Sequence, residues 1–177
     1  LAPLTQRVAD SIRTRMPVSR IMRPPGKPVV VQFTNGLTRE FDEVVIATHS
    51  DEALKMLGDP TDHERAVLGA MPYQDNEVIL HTDTRLLPRT QRAWSSWNYR
   101  LKPGNGRATV TYNMNILQGL DAPETFCVTL NDTASINPHR ILGRFNYAHP
   151  QFTVAGMQAQ QCWADINGHN GTWFCGA

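Results

Sequence analysis

The sequence predicts an α+β fold, and three observations carry that expectation. Asn35-Gly36 lies between an apolar run at 29–33 and the candidate partner strand at 37–41, a strong hairpin signal. Thr61-x-x-Glu64 has the spacing of a capping box and precedes a segment of helical apolar periodicity. From residue 76 onward, short runs rich in Trp, Tyr, Val and Thr alternate with polar, Pro or Gly breakers, as in an antiparallel sheet. The expected architecture is a small antiparallel meander plus a mainly antiparallel sheet with flanking helices.

Residues 4–15 read as one helix, because Leu4, Val8 and Ile12 recur at i, i+4 and i+8 before Pro17 blocks continuation. Residues 18–22, 28–34 and 37–41 read as the strands of the meander, with Pro24-Pro25-Gly26 and Asn35-Gly36 at its turns. The run Val44-Val45-Ile46-Ala47 is continuously apolar, as expected of a strand covered on both faces in a parallel sheet. Ser50 or Asp51 can cap a helix ending near Leu57, with Ala53, Leu54 and Leu57 buried. The capping box opens a second helix reaching about Met71, with Ala66, Val67 and Ala70 facing inward. Residues 76–82, 91–99, 108–114 and 126–130 are the strands of the larger sheet. Asn137-Pro138 opens a short helical or extended piece. Residues 145–152 read as a loop around Pro150, 157–166 as a helix, and 173–175 as a closing strand.

At 177 residues and 41% apolar composition, the chain has material for a real core. Its 17 basic and 16 acidic residues read as scattered, which argues against nucleic acid as a partner. The longest apolar runs are far too short to span a bilayer, and no secretory signal is evident. Three widely spaced cysteines, Cys127, Cys162 and Cys175, do not read as a disulfide framework, so a reducing cytoplasm is the expected setting. Two sequons, at Asn131 and Asn170, read as chance matches in that setting. The Leu1 start and the stop just after Trp173-Phe174-Cys175 are read as the ends of a piece cut from a longer protein.

Few residues suggest chemistry directly. His81, beside Thr82 and Asp83, is either a general base or an ordinary hydrogen-bonded histidine. Trp97 and Tyr99 share a strand face, with Trp94 expected on the opposite one. That aromatic pair either lines a substrate cavity or packs in the sheet core. Cys162, His169 and Cys175 fit no zinc spacing, and no metal site is expected. Ser95, Ser96 and Ser135 lack a nucleophile-elbow setting. Asn113, Asn115 and Asn131 either line a cavity or sit on exposed strand faces. No catalytic residue can be named.

The segment "FDEVVIATHSD" at 41–51 resembles the strand by which flavoproteins with two dinucleotide-binding domains return to their nucleotide-binding sheet. "LHTDTRLLPRTQRAWSSWNY", "VTYNMNILQGL" and "FCVTLN" resemble the substrate-domain sheet of bacterial FAD/NAD(P)-binding, flavin-containing amine oxidases. "INGHNGTWFCGA" resembles the approach to that family's last flavin-binding segment. The resemblance spans roughly residues 13–177, and the aromatic-rich block from 81 to 120 is its most specific part.

The resemblance implies an oxidoreductase that transfers hydride from a small or apolar substrate to FAD. Residues 1–50 would be part of the FAD-binding domain, 51–165 the substrate domain, and 166–177 the start of the closing FAD-binding segment. It implies cofactor-binding roles for Val18, Ala47, Thr48, Gly176 and Ala177, and a substrate cavity at Trp97 and Tyr99. The family's G-x-G-x-x-G turn and its last helix are missing from the sequence. This chain alone is therefore expected to retain FAD poorly and to be inactive without the rest of the parent chain. The alternative is a stand-alone α+β module that binds a small ligand or a protein without catalysis.

Overall fold

The computed structural model describes residues 5–101 and 108–176. In chain order its strands are β1 Val18–Met22, β2 Val29–Phe33, β3 Thr38–Phe41, β4 Val44–Ile46, β5 Tyr73–His81, β6 Trp97–Leu101, β7 Ala108–Asn113, β8 Cys127–Leu130, β9 Ile141–Pro150 and β10 Thr172–Phe174. Its α-helices are α1 Ser50–Met56, α2 Asp62–Leu68, α3 Met114–Gln118 and α4 Val154–Gln161. The chain divides into two units: Leu1–Pro72 with Pro150–Ala177, and Tyr73–His149.

In the first unit β1, β2 and β3 form the expected antiparallel meander. Its tight turn falls at Asn35-Gly36, where Gly36 takes φ +84° and donates its N–H to the Phe33 carbonyl at 2.9 Å. A left-handed residue there suits glycine, which has no Cβ to clash. β4 pairs in parallel with β10, Val44 opposite Thr172 and Ile46 opposite Phe174. Ile21, Ile46, Ala53, Leu68, Ile166 and Phe174 belong to the core of this unit.

Thr61 caps α2 as expected. Its hydroxyl accepts the Glu64 N–H at 3.2 Å, and the Glu64 carboxylate accepts the Thr61 N–H at 2.8 Å. Glu64 is also fully buried, because Arg23 forks onto it, with Nη2 on Oε2 at 2.9 Å and Nη1 on Oε1. Arg23 binds Asp59 as well, Nε to Oδ1 at 3.0 Å and backbone N–H to Oδ2 at 2.7 Å.

In the second unit a five-stranded sheet has the order β6-β7-β8-β5-β9, with β6–β7, β7–β8 and β8–β5 antiparallel. The register puts Asn98, Thr111, Thr129, Ile79, Cys127 and His81 on one face. These six are all buried. The opposite face carries Trp97, Tyr99 and Tyr112. The covered face is thus largely polar, while the aromatic face is the open one.

Several expectations are corrected. The amino-terminal segment is a 3-10 stretch over Gln6–Ser11 with no buried residue; Val8 and Ile12 are exposed, and Leu4 lies outside the described residues. An isolated short helix gains too little from propensity alone, and nothing described covers its stripe. The strand at 44–47 is not covered on both faces: Val45 is 62% exposed, because the two-stranded pair has core on one side only. His49, not Ser50 or Asp51, is the residue before α1, and it makes no side-chain cap; Ser50 and Asp51 sit inside the first turn.

α2 stops at Leu68, and Glu64 rather than Ala66 joins Val67 on its buried side, since Arg23 draws that face inward. The stretch 91–99 is not one strand. Gln91–Ala93 is a 3-10 turn and pairing starts at Trp97. The Asn98 side chain bonds both the N–H and the carbonyl of Ser95, holding a turn where a ladder would run. Residues 145–150 belong to β9, which ends on Pro150 at the sheet edge, where a missing N–H costs no ladder bond. The late helix runs over Val154–Gln161, capped by Thr153, and is followed by a 3-10 turn at Trp163–Asp165.

Candidate functional site

Two places collect the residues singled out from the sequence. The first is the carboxyl end of the parallel pair β4–β10. Strand direction brings Ala47 and Thr48 out of β4 beside Cys175 and Gly176 leaving β10, and Cys175 donates its N–H to the Ile46 carbonyl at 3.0 Å. Gly176 lies so close to Thr48 that a Cβ built on it would fall 1.6 Å from the Thr48 carbonyl oxygen. Ala47 and Gly176 are exposed, and the Thr48 hydroxyl donates to the His49 carbonyl at 3.2 Å. Val18 is half-buried, pairs with Phe33, and packs against the core of its unit. Ala177 lies outside the described residues.

The carboxyl ends of parallel strands are where open α/β sheets bind ligands. Small side chains there let a planar ring system approach the backbone. Among the described residues, no α-helix starts on a glycine-rich turn that could cradle a pyrophosphate. Ala47, Thr48 and Gly176 thus bring small side chains and backbone to this strand end, with no phosphate cradle beside them among the described residues.

The second place is the outer edge of the five-stranded sheet. Consecutive residues from Trp97 to Arg100 line a cavity of about 340 Å³, together with Arg85, Leu86 and Pro88. Because β6 is an edge strand and residues of both faces contribute, the cavity follows that edge. Trp97 is 64% and Tyr99 68% exposed, so neither is sheet core. Trp97 meets Tyr112 edge-on, ring centroids 5.5 Å apart. Trp94 is half-buried, lies before β6 rather than on its opposite face, and donates Nε1–H to the Pro88 carbonyl at 2.8 Å.

His81 is fully buried on the covered face. The Asp83 N–H donates to its Nδ1 at 3.0 Å, which leaves Nε2–H to donate to the Thr129 hydroxyl at 2.7 Å. Thr129 in turn meets the Thr111 hydroxyl at 2.8 Å. Burial lowers the imidazole's affinity for protons more than nearby Asp83 raises it, so the ring is neutral. We expect nitrogen-detected NMR to show the Nε2–H tautomer and a titration midpoint below the ordinary imidazole value. A midpoint at or above about 6.5 would contradict the assignment.

The surroundings of His81 are equally structural. Asp83 is held well below the usual carboxylate range, first by the Arg85 side chain and then by the Asn137 and Arg85 N–H groups, against the opposing effect of burial. Burial, with help from Asp83, pushes the Cys127 thiol up to about 11.

Asn113 and Asn115 hold turns, and Asn131 bridges the end of β8 to β5. Asn113 accepts the Ile116 N–H at the start of α3, Asn115 bridges Glu124 and Phe126, and Asn131 accepts the Glu77 N–H. Among the described residues, no cluster of three His, Cys, Asp or Glu side chains could hold a metal, and no helix is long and apolar enough to cross a membrane.

Arg85 and Arg100, which line the cavity along β6, are not singled out by the sequence reading. A signal was present: the six basic residues between Asp83 and Asp121 are Arg85, Arg89, Arg92, Arg100, Lys102 and Arg107, and no acidic residue lies among them. Whole-chain balance conceals that run.

The family model described as flavin containing amine oxidoreductase matches residues 1–156. No curated protein matches the sequence. Similar solved structures include a CLA-producing fatty acid isomerase from P. acnes, at 16% identity and TM-score 0.57, covering 92% of this chain and 42% of that one. A triple mutant of putrescine oxidase with redesigned cofactor binding is similar at 9% identity and TM-score 0.59, covering 99% of this chain and 46% of that one. A reduced UDP-galactopyranose mutase is similar at 11% identity and TM-score 0.55, covering 95% of this chain and 44% of that one. The chain spans less than half the length of each, and at these identities the likeness is one of fold. The mixed, mostly antiparallel architecture is that of part of an FAD-binding oxidoreductase. With most of its length matched by the family model, the chain belongs to the flavin containing amine oxidoreductases.

Proposed function

We propose that this chain supplies part of an FAD-dependent oxidoreductase that removes hydride from a small or apolar substrate. The observation that carries the proposal is the family match over residues 1–156. When bound, the flavin supplies the hydride acceptor. Ala47, Thr48, Gly176 and Ala177 would border the flavin, and Val18 would lie on the strand at its adenine side. Residues 1–50 and 166–177 are assigned to FAD binding and 51–165 to the substrate domain; residues 51–72 and 150–165 fold within the same unit as the former.

Trp97 and Tyr99 would wall the substrate cavity and exclude water from it. No proton-transfer residue is assigned, since His81 is buried and engaged on both nitrogens. The amine in the family's name has no support from any residue here. Three free thiols support a reducing, cytoplasmic setting.

Two measurements test this reading. The chain alone, lacking a glycine-rich phosphate turn, is expected to purify colourless; roughly one flavin per chain would overturn that part. In the parent protein, Trp97→Ala should slow flavin reduction or raise KM, at a stability cost of about 1 kcal/mol or less for so exposed a side chain. Trp94→Ala should instead lower the melting temperature. The reverse pattern would sink the cavity assignment.

A further inference from the structure

We propose that the cavity along the outer edge of β6 binds an apolar carboxylate, with Arg85 and Arg100 holding its anionic head and Leu86, Pro88, Trp97 and Tyr99 facing its body. This rests on the reading of Trp97 and Tyr99 as a cavity wall and adds the charge of what the cavity takes.

Both guanidiniums are fixed from behind by buried acids. Arg85 forks onto Asp83, Nε to Oδ1 at 2.9 Å and Nη2 to Oδ2 at 2.6 Å. Arg100 holds Asp132 through Nη2, and the Ser135 hydroxyl fixes the other Asp132 oxygen at 2.7 Å. The two carboxylates are 2% and 0% exposed, whereas the arginine side chains are 67% and 41% exposed. The pairs are neutral as sums, but the solvent-facing half of each is cationic. These bonds use Nε and Nη2 of Arg85 and Nη2 of Arg100, and an arginine carries five N–H donors in a planar fork. A second carboxylate matches that fork geometrically.

The rest of the cavity has matching chemistry. None of its lining residues is acidic, and it lies within the run of six basic residues that no acid interrupts. A cationic head would meet like charge there. Leu86, Pro88, Trp97 and Tyr99 present apolar surface, and a volume of about 340 Å³ suits one small ligand. Asn98, the polar side chain of β6 between the two aromatics, is already engaged with Ser95 and Thr111 and offers the ligand little.

The test compares two probes of nearly equal shape, 3-phenylpropionate and 2-phenylethylamine, titrated calorimetrically into the full chain at neutral pH and low salt. The carboxylate is expected to bind at least about tenfold more tightly than the amine. Arg100→Gln alone would strand buried Asp132, so the paired variant Arg100→Gln/Asp132→Asn is used, with its fold checked by circular dichroism; it should weaken the carboxylate about tenfold and leave the amine unchanged. Trp97→Ala should weaken whichever probe binds.

Binding of neither probe would overturn both the cavity reading and this inference. Equal or tighter binding of the amine, with Trp97→Ala weakening it, would leave the cavity reading standing and overturn the carboxylate. Carboxylate binding indifferent to Trp97→Ala and to the paired variant would place the site elsewhere and overturn the inference. If the paired variant does not fold, the comparison of the two probes on the unaltered chain decides. Capture of a single-stranded oligonucleotide in place of the carboxylate would also overturn it.

Discussion

Arg23→Ala is expected to destabilise the unit that holds β1 and α2 by about 3–5 kcal/mol, because it leaves the buried Glu64 carboxylate without its counter-charge. The cost does not reflect a strong ion pair as such. Taking both charges out of water is nearly as costly as their attraction is favourable, so removing both should be mild. The double variant Arg23→Met/Glu64→Leu is therefore expected to recover most of the loss. Asp59 also loses a partner, but its side chain is 40% exposed and water can replace the guanidinium.

The same site predicts a pH signature. Burial favours the protonated Glu64, but the Arg23 and Thr61 bonds outweigh it and hold the carboxyl below its ordinary value. The folded protein thus takes up this proton less readily than the unfolded chain. Its contribution to stability is complete above the unfolded carboxylate range, near pH 4.3, and is lost as pH falls through the lower folded value. In Arg23→Ala only the Thr61 bonds still oppose burial, so the carboxyl rises and the variant loses less stability than the unaltered protein as pH falls toward that range. The gap between the urea midpoints of the two proteins should narrow on acidification. A pH-independent gap, or one worth less than about 1 kcal/mol, would show that Glu64 is not buried as a charge.

Arg23 and Glu64 also show where reading the sequence stops. The capping box and the Asn35-Gly36 turn were legible because their bonds join residues a few positions apart. Arg23 and Glu64 are 41 positions apart, and neither residue marks the other in the chain. The paired strands of the large sheet were legible from β-forming composition, but alternation names two faces without saying which is covered. Thr111, Thr129 and His81 satisfy one another, so the polar face is the buried one, and Trp97 and Tyr99 are left outside. Residues 91–96 looked like strand because Trp94 raises β propensity, yet the Asn98 side chain competes for the backbone and bends it. Pro150 suggested a loop because proline breaks ladders, and it is tolerated because β9 ends there at a sheet edge. At the β4–β10 junction, apolar patterning located both strands. The closeness of Gly176 to Thr48 left no trace in it.

Gly176→Ala measures that closeness. A methyl group built on Gly176 would sit 1.6 Å from the Thr48 carbonyl oxygen and 2.5 Å from its carbonyl carbon. Both are backbone atoms, so no rotamer change can make room, and either β10 or the Thr48 peptide must move by more than an ångström. Overpacking typically costs about 1–3 kcal/mol, and a backbone obstacle puts this case at or above the upper end. A melting temperature lower by roughly 6–12 °C is expected for a chain of this size.

Gly36→Ala is the control, because it has open space around its Cβ position and φ +84°. It isolates the cost of left-handed backbone, about 1–2 kcal/mol, whereas Gly176 carries no such strain and isolates the cost of space. The displacement at Gly176 should also break the Cys175 N–H bond to the Ile46 carbonyl and splay the carboxyl ends of β4 and β10. If those ends border the flavin, the parent protein carrying Gly176→Ala loses FAD affinity, while one carrying Gly36→Ala keeps it. Equal flavin content in the two variants would detach Gly176 from the cofactor, and an unchanged melting temperature would show that the two backbones do not approach as closely as 1.6 Å implies.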